Sequence, residues 1–225
     1  MITYYDDVIQ GDDEWLRLHI GTLTAGSTKL ILTPTLKVAS NEKERQHFYE
    51  LLAQRISQHI EPSYIGDDMI RGMDDEIRAR DLYSEKFAPV KQTGFVTNDK
   101  WGFVIGCSPD GLVGDDGMIE CKSRRQKYQI ETILSRKAPD EFMLQIQTSL
   151  LVTERKWCDF ISYSGGLPMY KFRVYPMHDY FDAIVAAATA LEVKLQDKLH
   201  EYRLLLETDK TLIPTERHVE QEMFL

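Results

Sequence analysis

The sequence predicts an α/β (α+β) fold with a mixed central β-sheet flanked by helices, and three observations lead there. Helix-period stretches fill the first part of the chain, a strand-rich part follows, and a helix, strand, strand, helix order closes it. Nothing in the middle reads as a linker, so residues 1–225 are expected to form one domain. Within it, 1–90 is expected to be mainly helical, 91–175 to carry the sheet, 176–207 to be one long helix and 208–225 a tail. Hydrophobic residues make up 43% and aromatic residues 10%, enough for a substantial core.

Asp12 and Asp13 precede the amphipathic run Glu14 to His19, a helix start, and Gly21 ends it. Thr24 then caps a short helix through Ala25, Lys29, Leu30 and Ile31, and two helix amino termini so close together favour an anion. Residues 33–40 read as a loop. Asn41 with Glu44 opens a helix whose apolar face is Phe48, Leu51, Leu52, Ile56 and Ile60, broken by Pro62. Gly66-Asp67-Asp68 starts the next, running to about Tyr83, with Ile70, Met73 and Ile77 as its expected buried stripe. Strands follow at 93–97 and 101–107, joined by the Asn98-Asp99-Lys100 turn. Gln129 to Leu134 is helical, as is the run from Asp140 or Glu141 to Leu151, on which Gln145 and Gln147 lie about 200° apart and cannot share one site. Strands at 157–163 and 170–175 flank the Ser164-Gly165-Gly166 turn. The helix from His178 to Leu206 carries an alanine-rich centre expected to pack on the sheet. The tail ends Met223-Phe224-Leu225, apolar residues expected to pack on this subunit or a neighbour.

The chemistry concentrates in Cys107 to Lys122. Asp110 lies in a turn between Pro109 and Gly111, and Gly114 to Gly117 makes a second turn before a short strand. On that strand Glu120 and Lys122 share a face and Cys121 takes the other, so two carboxylates and an ammonium converge. Two acidic oxygens suit a hard cation such as Mg²⁺, and a lysine beside them lowers the pKa of a nucleophilic water or holds a phosphate. This points to metal-assisted phosphodiester hydrolysis. The bare pattern equally fits a hairpin whose Asp caps a turn and whose Glu and Lys pair in solvent. Glu76, taken alone, reads as a helix-surface charge paired with Arg80.

The net charge of −9 argues only weakly against a nucleic-acid partner, because a local basic surface is what matters. Lys122, Arg124, Arg125 and Lys127, with Arg136 and Lys137 beyond, supply one. Three cysteines without CxxC spacing read as buried thiols. His47, His59, His178, His200 and His218 lack ligand spacing and read as surface residues. No apolar run is long enough to span a membrane and no leader is visible, so a cytoplasmic protein is expected.

From about Gln10 to Leu151 the chain resembles the phage lambda exonuclease family, the YqaJ-like viral recombinases of the PD-(D/E)xK nuclease superfamily. The resemblance rests on G-D-D-x-W (Gly11 to Trp15), G-x-x-T-A (Gly21 to Ala25), G-x-x-x-E (Gly72 to Glu76), C-S-P-D-G-L (Cys107 to Leu112), E-x-K (Glu120 to Lys122) and Q-x-Q (Gln145 to Gln147), in the family's order. It implies a restriction-endonuclease-like core and a Mg²⁺-dependent exonuclease, with Mn²⁺ as a substitute, that degrades one strand of linear double-stranded DNA from its 5′ end. The products implied are 5′ mononucleotides and 3′ single strands for a single-strand annealing protein, with a ring-shaped homotrimer around the DNA, acting in a bacterial host cell. Asp110 and Glu120 match the metal-binding acids, with the Cys121 carbonyl as a further ligand, and Lys122 matches the catalytic lysine. Glu76 matches a helical carboxylate near the metals, Gln145 the first glutamine of Q-x-Q, and Ser108 a serine close to the terminal phosphate. Where the family has an arginine and a T-A-S serine for the 5′ phosphate, this chain has His19 and Gly26, with Ser27 next. Arg17, Lys29 or a protonated His19 is the expected substitute, the last making phosphate preference weaker and pH-sensitive. Competing expectations are a structure-selective or site-specific endonuclease, which would cut closed circles, and a non-catalytic DNA-end-binding scaffold, against which the intact Asp110, Glu120 and Lys122 speak.

Overall fold

The computed structural model describes residues 1–62 and 66–217. His218 and the apolar end Met223 to Leu225 lie outside the described residues. The mixed α/β class holds, with two four-stranded sheets where one central sheet is expected. The first sheet has the order β1 (Ile2–Tyr5), β3 (Phe95–Asn98), β4 (Ile105–Cys107), β2 (Leu23–Thr24); only the β4–β2 pair is parallel. The second has the order β5 (Gly111–Val113), β6 (Gly117–Ser123), β7 (Trp157–Tyr163), β8 (Tyr170–Val174), with β6 and β7 parallel. Ser108 to Asp110 is the crossing from the first sheet to the second, which is why a turn carries the first acid.

The helices form where caps and apolar spacing place them. Asp12 caps α1 (Asp13–His19) by accepting from the Trp15 N–H at 2.7 Å, and Asn41 caps α3 (Glu42–Ser57) by accepting from Lys43 and Glu44. Thr24 and Ser27 form a capping box at a 3-10 turn leading into α2 (Thr28–Ile31). The remaining helices are α4 (Asp67–Lys86), α5 (Gln126–Ser135), α6 (Met143–Thr153) and α7 (His178–Thr208). Helix α3 stops before Ile60 because Gln58 turns left-handed at φ 52° and its N–H closes on the Gln54 carbonyl.

Three cores result. Phe48, Leu51, Val96, Ile105, Val152, Ile184 and Leu191 join α3, α6 and α7 to the first sheet. Met118, Ile146, Leu150 and Phe160 pack α6 on one face of the second sheet, and Ala79, Tyr83, Ile119, Cys121 and Ile161 pack α4 on the other. Each large side chain so buried stabilises the fold by about 1.5–3 kcal/mol. Two expectations are corrected here. The stripe Ile70, Met73 and Ile77 is about half exposed, and α4 instead buries Ala79 and Tyr83, because Ala79 lets the helix lie close on β6 and β7. The alanine-rich centre of α7 packs against α2, α3 and α6 rather than directly on a sheet.

Gly21 ties the N-terminal region to this frame. It has φ +61°, and a Cβ there would lie 2.3 Å from the Arg55 Cγ. Its N–H donates to Gln54 Oε1 and its carbonyl accepts from Arg55 Nε, both at 2.9 Å, while Arg55 forks onto both oxygens of Glu192 on α7 at 2.7 Å. Gly21→Ala is expected to cost about 3 kcal/mol from backbone strain and overpacking. Thermal melts are expected to show Tm lower by roughly 6–12 °C; an unchanged Tm would remove both the strain at φ +61° and the clash with Arg55.

Candidate active site

The β5–β6 hairpin, the Ser108 to Asp110 crossing, α4 and α6 bring the acids together. Glu120 and Lys122 point from β6 toward α6, as their shared parity requires, and Lys122 Nζ lies 2.5 Å from Glu120 Oε1. From α6, Gln145 Nε2 donates to the same Oε1 at 2.6 Å. Gln147 faces away, bonding the Tyr175 carbonyl and the Met177 N–H, so the two glutamines part as their spacing demands. Asp110 accepts from the Cys121 N–H at 2.5 Å, which locks the crossing onto β6. Glu76 on α4 accepts from Arg80 at 2.9 Å, and the same Arg80 nitrogen donates to the Asp110 carbonyl at 3.2 Å. The Glu76–Arg80 pair therefore exists, but it belongs to the site rather than to a free helix surface.

The electrostatics are those of an acid cluster short of positive charge. Burial, then the charges of Glu120 and Glu76, push the Asp110 carboxyl well above the usual carboxylate range, and Lys122 only partly opposes them. Burial works against the Lys122 ammonium, yet Glu120 and Asp110 hold its pKa above that of a free lysine. Glu120 is 1% exposed, and its Oε2 is buried without any hydrogen-bond partner. A bare carboxylate oxygen in that position is costly unless a cation meets it. The residues thus fit a hard divalent ion. Among the described residues no group of three or more His, Cys, Asp or Glu side chains is arranged to hold a metal by itself.

The phosphate pocket differs from expectation. The helix amino termini are answered within the chain, α1 by the Asp12 carboxylate and the 3-10 turn by Ser27, whose Oγ accepts from the Thr24 N–H and donates to its carbonyl. Each start thus has one backbone N–H already engaged, Trp15 at α1 and Thr24 at the 3-10 turn. His19 is stacked between Trp15 and Phe95, with ring centroids 3.7 and 4.2 Å away, and its Nδ1–H donates to the Trp15 carbonyl. Burial pushes its pKa below the ordinary histidine value, against the protonated role expected for it. Arg17 and Lys29 are exposed and remain available cations. Ser108 Oγ accepts from the Trp15 indole at 2.9 Å, fastening α1 beside Asp110.

Arg124, Arg125 and Lys127 line a cleft of about 620 Å³ past the end of β6, together with Arg71 and Asp75 of α4. Arg124 pairs with Glu141 and Arg125 with Asp68, at 2.7 and 2.8 Å, so part of the basic charge is already answered. Lys137 pairs with Asp140 outside this cleft. All three cysteines are free and buried, and burial pushes their thiols up. His47 is buried against the surface expectation, since it lies on the core side of α3 with Nδ1 on Glu50. Sequence reasoning missed the reach of Arg80 to the Asp110 carbonyl; its i+4 spacing from Glu76 was the available signal.

Comparisons with known proteins bear on the fold and the family. A solved alkaline exonuclease (LHK-Exo) from Laribacter hongkongensis is 28% identical, with a TM-score of 0.78 over 87% of this chain and 98% of that one. The same enzyme in complex with dAMP gives 29% identity and a TM-score of 0.77, over 89% and 100%. A phage-related exonuclease from Haemophilus somnus shares the fold at 11% identity and a TM-score of 0.56, over 81% and 98%. No curated protein matches. Among the described residues no helix is long and apolar enough to cross a membrane. The family model of the YqaJ-like viral recombinase domain matches residues 14–156, more than half of the sequence, and the chain belongs to that family.

Proposed function

We propose that the protein is a Mg²⁺-dependent 5′→3′ exonuclease that digests one strand of linear double-stranded DNA and leaves 3′ single strands for a single-strand annealing protein. The observation that carries this reading is the orphaned Glu120 Oε2 beside Asp110 and Lys122, in a family of viral recombinases whose solved relatives are alkaline exonucleases. Bound between Asp110, Glu120 and the Cys121 carbonyl, Mg²⁺, or Mn²⁺ in its place, would supply Lewis-acid polarisation of the scissile phosphodiester. Lys122 stays cationic at neutral pH, so it orients the attacking water and neutralises phosphate charge rather than acting as a base. Gln145 occupies Oε1 of Glu120 and leaves Oε2 for the ion. Water adds to phosphorus, the 3′ oxygen of the terminal nucleotide leaves with a proton, and the shortened strand keeps a 5′ phosphate. Arg124, Arg125 and Lys127 hold the DNA backbone once phosphates displace Glu141 and Asp68. Ser108, with Arg17 or Lys29, meets the terminal phosphate, His19 and Ser27 shape the pocket, and a ring-shaped homotrimer encloses the duplex.

The test is digestion with Mg²⁺ of a linear duplex bearing a 5′ phosphate or a 5′ hydroxyl, beside a closed circle. Release of 5′ mononucleotides from the linear DNA alone is expected. Cuts in the circle would replace the exonuclease by an endonuclease, and no product from either would leave a DNA-end-binding protein.

A further inference from the structure

We propose that Arg80 is the positioning residue that presents Glu76 to the catalytic acids, fixing the α4 carboxylate in register with the Asp110 crossing so that Mg²⁺ binds tightly. This rests on the metal-dependent reading above. An ordinary i,i+4 pair on a helix surface is solvated and weak. This one is not ordinary: the Arg80 side chain is 13% exposed, and its Nε is buried with no partner in exchange for the water it gives up. One guanidinium nitrogen serves both Glu76 Oε1 at 2.9 Å and the Asp110 carbonyl at 3.2 Å. Those two groups come from different elements, a helix and the crossing between the sheets, and among the described residues no backbone hydrogen bond ties α4 to that crossing. The clamp acts at the carbonyl of the very residue whose side chain is bonded to β6, so a shift of α4 is resisted at the site itself. Glu76 is near enough for its charge to be felt at Asp110. With Arg80 removed, Lys122 still answers Glu120 and acts on Asp110, but Glu76 loses its salt-bridge partner and is free to turn out to solvent.

The test compares wild type, Arg80→Gln, Arg80→Lys, Glu76→Gln and the Arg80→Gln/Glu76→Gln pair. Two readouts are taken: the Mg²⁺-induced rise in Tm without DNA, and the Mg²⁺ concentration giving half-maximal digestion. Arg80→Gln is expected to raise that concentration about tenfold, the usual effect of losing a group that orients a metal ligand. Saturating Mg²⁺ restores most of kcat, and Arg80→Lys falls between. Glu76→Gln raises the midpoint likewise, and the double variant goes no further, because the arginine acts through the glutamate. An unchanged midpoint in both Arg80 variants, or additive effects in the double variant, overturns the assignment. Should Arg80→Gln fail to fold, Arg80→Lys carries the same comparison. A wild type whose Tm ignores Mg²⁺ overturns the metal-dependent reading and this inference together, whereas a responsive wild type with unaltered Arg80 variants overturns this inference alone.

Discussion

Asp110→Asn is expected to lower digestion by about a thousandfold or more while raising the Tm of the metal-free protein. The first effect follows from the metal-holding role proposed for Asp110, since such a carboxylate accounts for several kcal/mol of the barrier and each 1.4 kcal/mol or so is tenfold. The second follows from burial and from the neighbouring Glu120 and Glu76, which hold the Asp110 carboxyl well above the usual range. The folded state binds that proton more tightly than the unfolded chain does. Its stabilisation is therefore complete below the unfolded pKa of about 3.9 and is lost as pH rises through the folded value. An asparagine keeps the acceptor for the Cys121 N–H and carries no charge, so its Tm stays flat where the wild type falls. The two melting curves are expected to converge in acid and separate toward neutral pH in chelator, and Mg²⁺ is expected to restore the wild type only. An Asp110→Asn protein that melts below wild type at neutral pH would remove the electrostatic account, and one that digests DNA at the wild-type rate would remove Asp110 from the site.

The centre of this arrangement is legible in the sequence because it is local. Strand parity alone puts Glu120 and Lys122 on one side, and helix spacing alone separates Gln145 from Gln147; both hold in the structure. Caps are equally local, and Asp12, Thr24 and Asn41 sit at the helix starts their chemistry predicts. What fails depends on the partner. Ile70, Met73 and Ile77 form an apolar stripe, yet α4 turns Ala79 and Tyr83 inward, and nothing in α4 itself says which neighbour it meets. His19, which stands where the family has a phosphate-binding arginine and could replace it only when protonated, is instead a ring between two rings, one of which, Phe95, lies 76 residues along the chain. The strand β1 is too short to show a period, and the division into two sheets depends on pairings between distant segments.

The largest feature hidden from the sequence yields the largest stability effect: Asp159→Ala is expected to cost about 3–5 kcal/mol, the range for breaking a buried ion network by removing one member. Asp159 is fully buried on β7 and accepts from the Tyr83 hydroxyl at 2.7 Å, from Arg173 at 2.7 and 2.9 Å and from Lys171 at 3.2 Å. Burial alone would raise its carboxyl, but the bonds from Arg173, Tyr83 and Lys171 together hold it below the usual range. Its contribution is thus present above the unfolded carboxylate pKa and lost as pH falls through the folded one, opposite in sign to Asp110. Cross-strand pairing with Arg173 created this network, so only the β7–β8 register reveals it. The same sheet parity keeps it away from the chemistry, because Asp159 stands opposite Ile119 while Glu120 stands opposite Phe160. Asp159→Ala is therefore expected to lower Tm by roughly 10 °C or more, with the rate per folded molecule below its melting range within about threefold of wild type, as for a site sharing no partner with the catalytic acids. Replacing Tyr83 by Phe in the same protein is expected to recover part of the loss, since the stranded hydroxyl is then gone. A folded Asp159→Ala protein that has lost activity would mean that Tyr83, two turns beyond Glu76 on α4, sets the register of that helix against the site, and that stability and catalysis are joined through it.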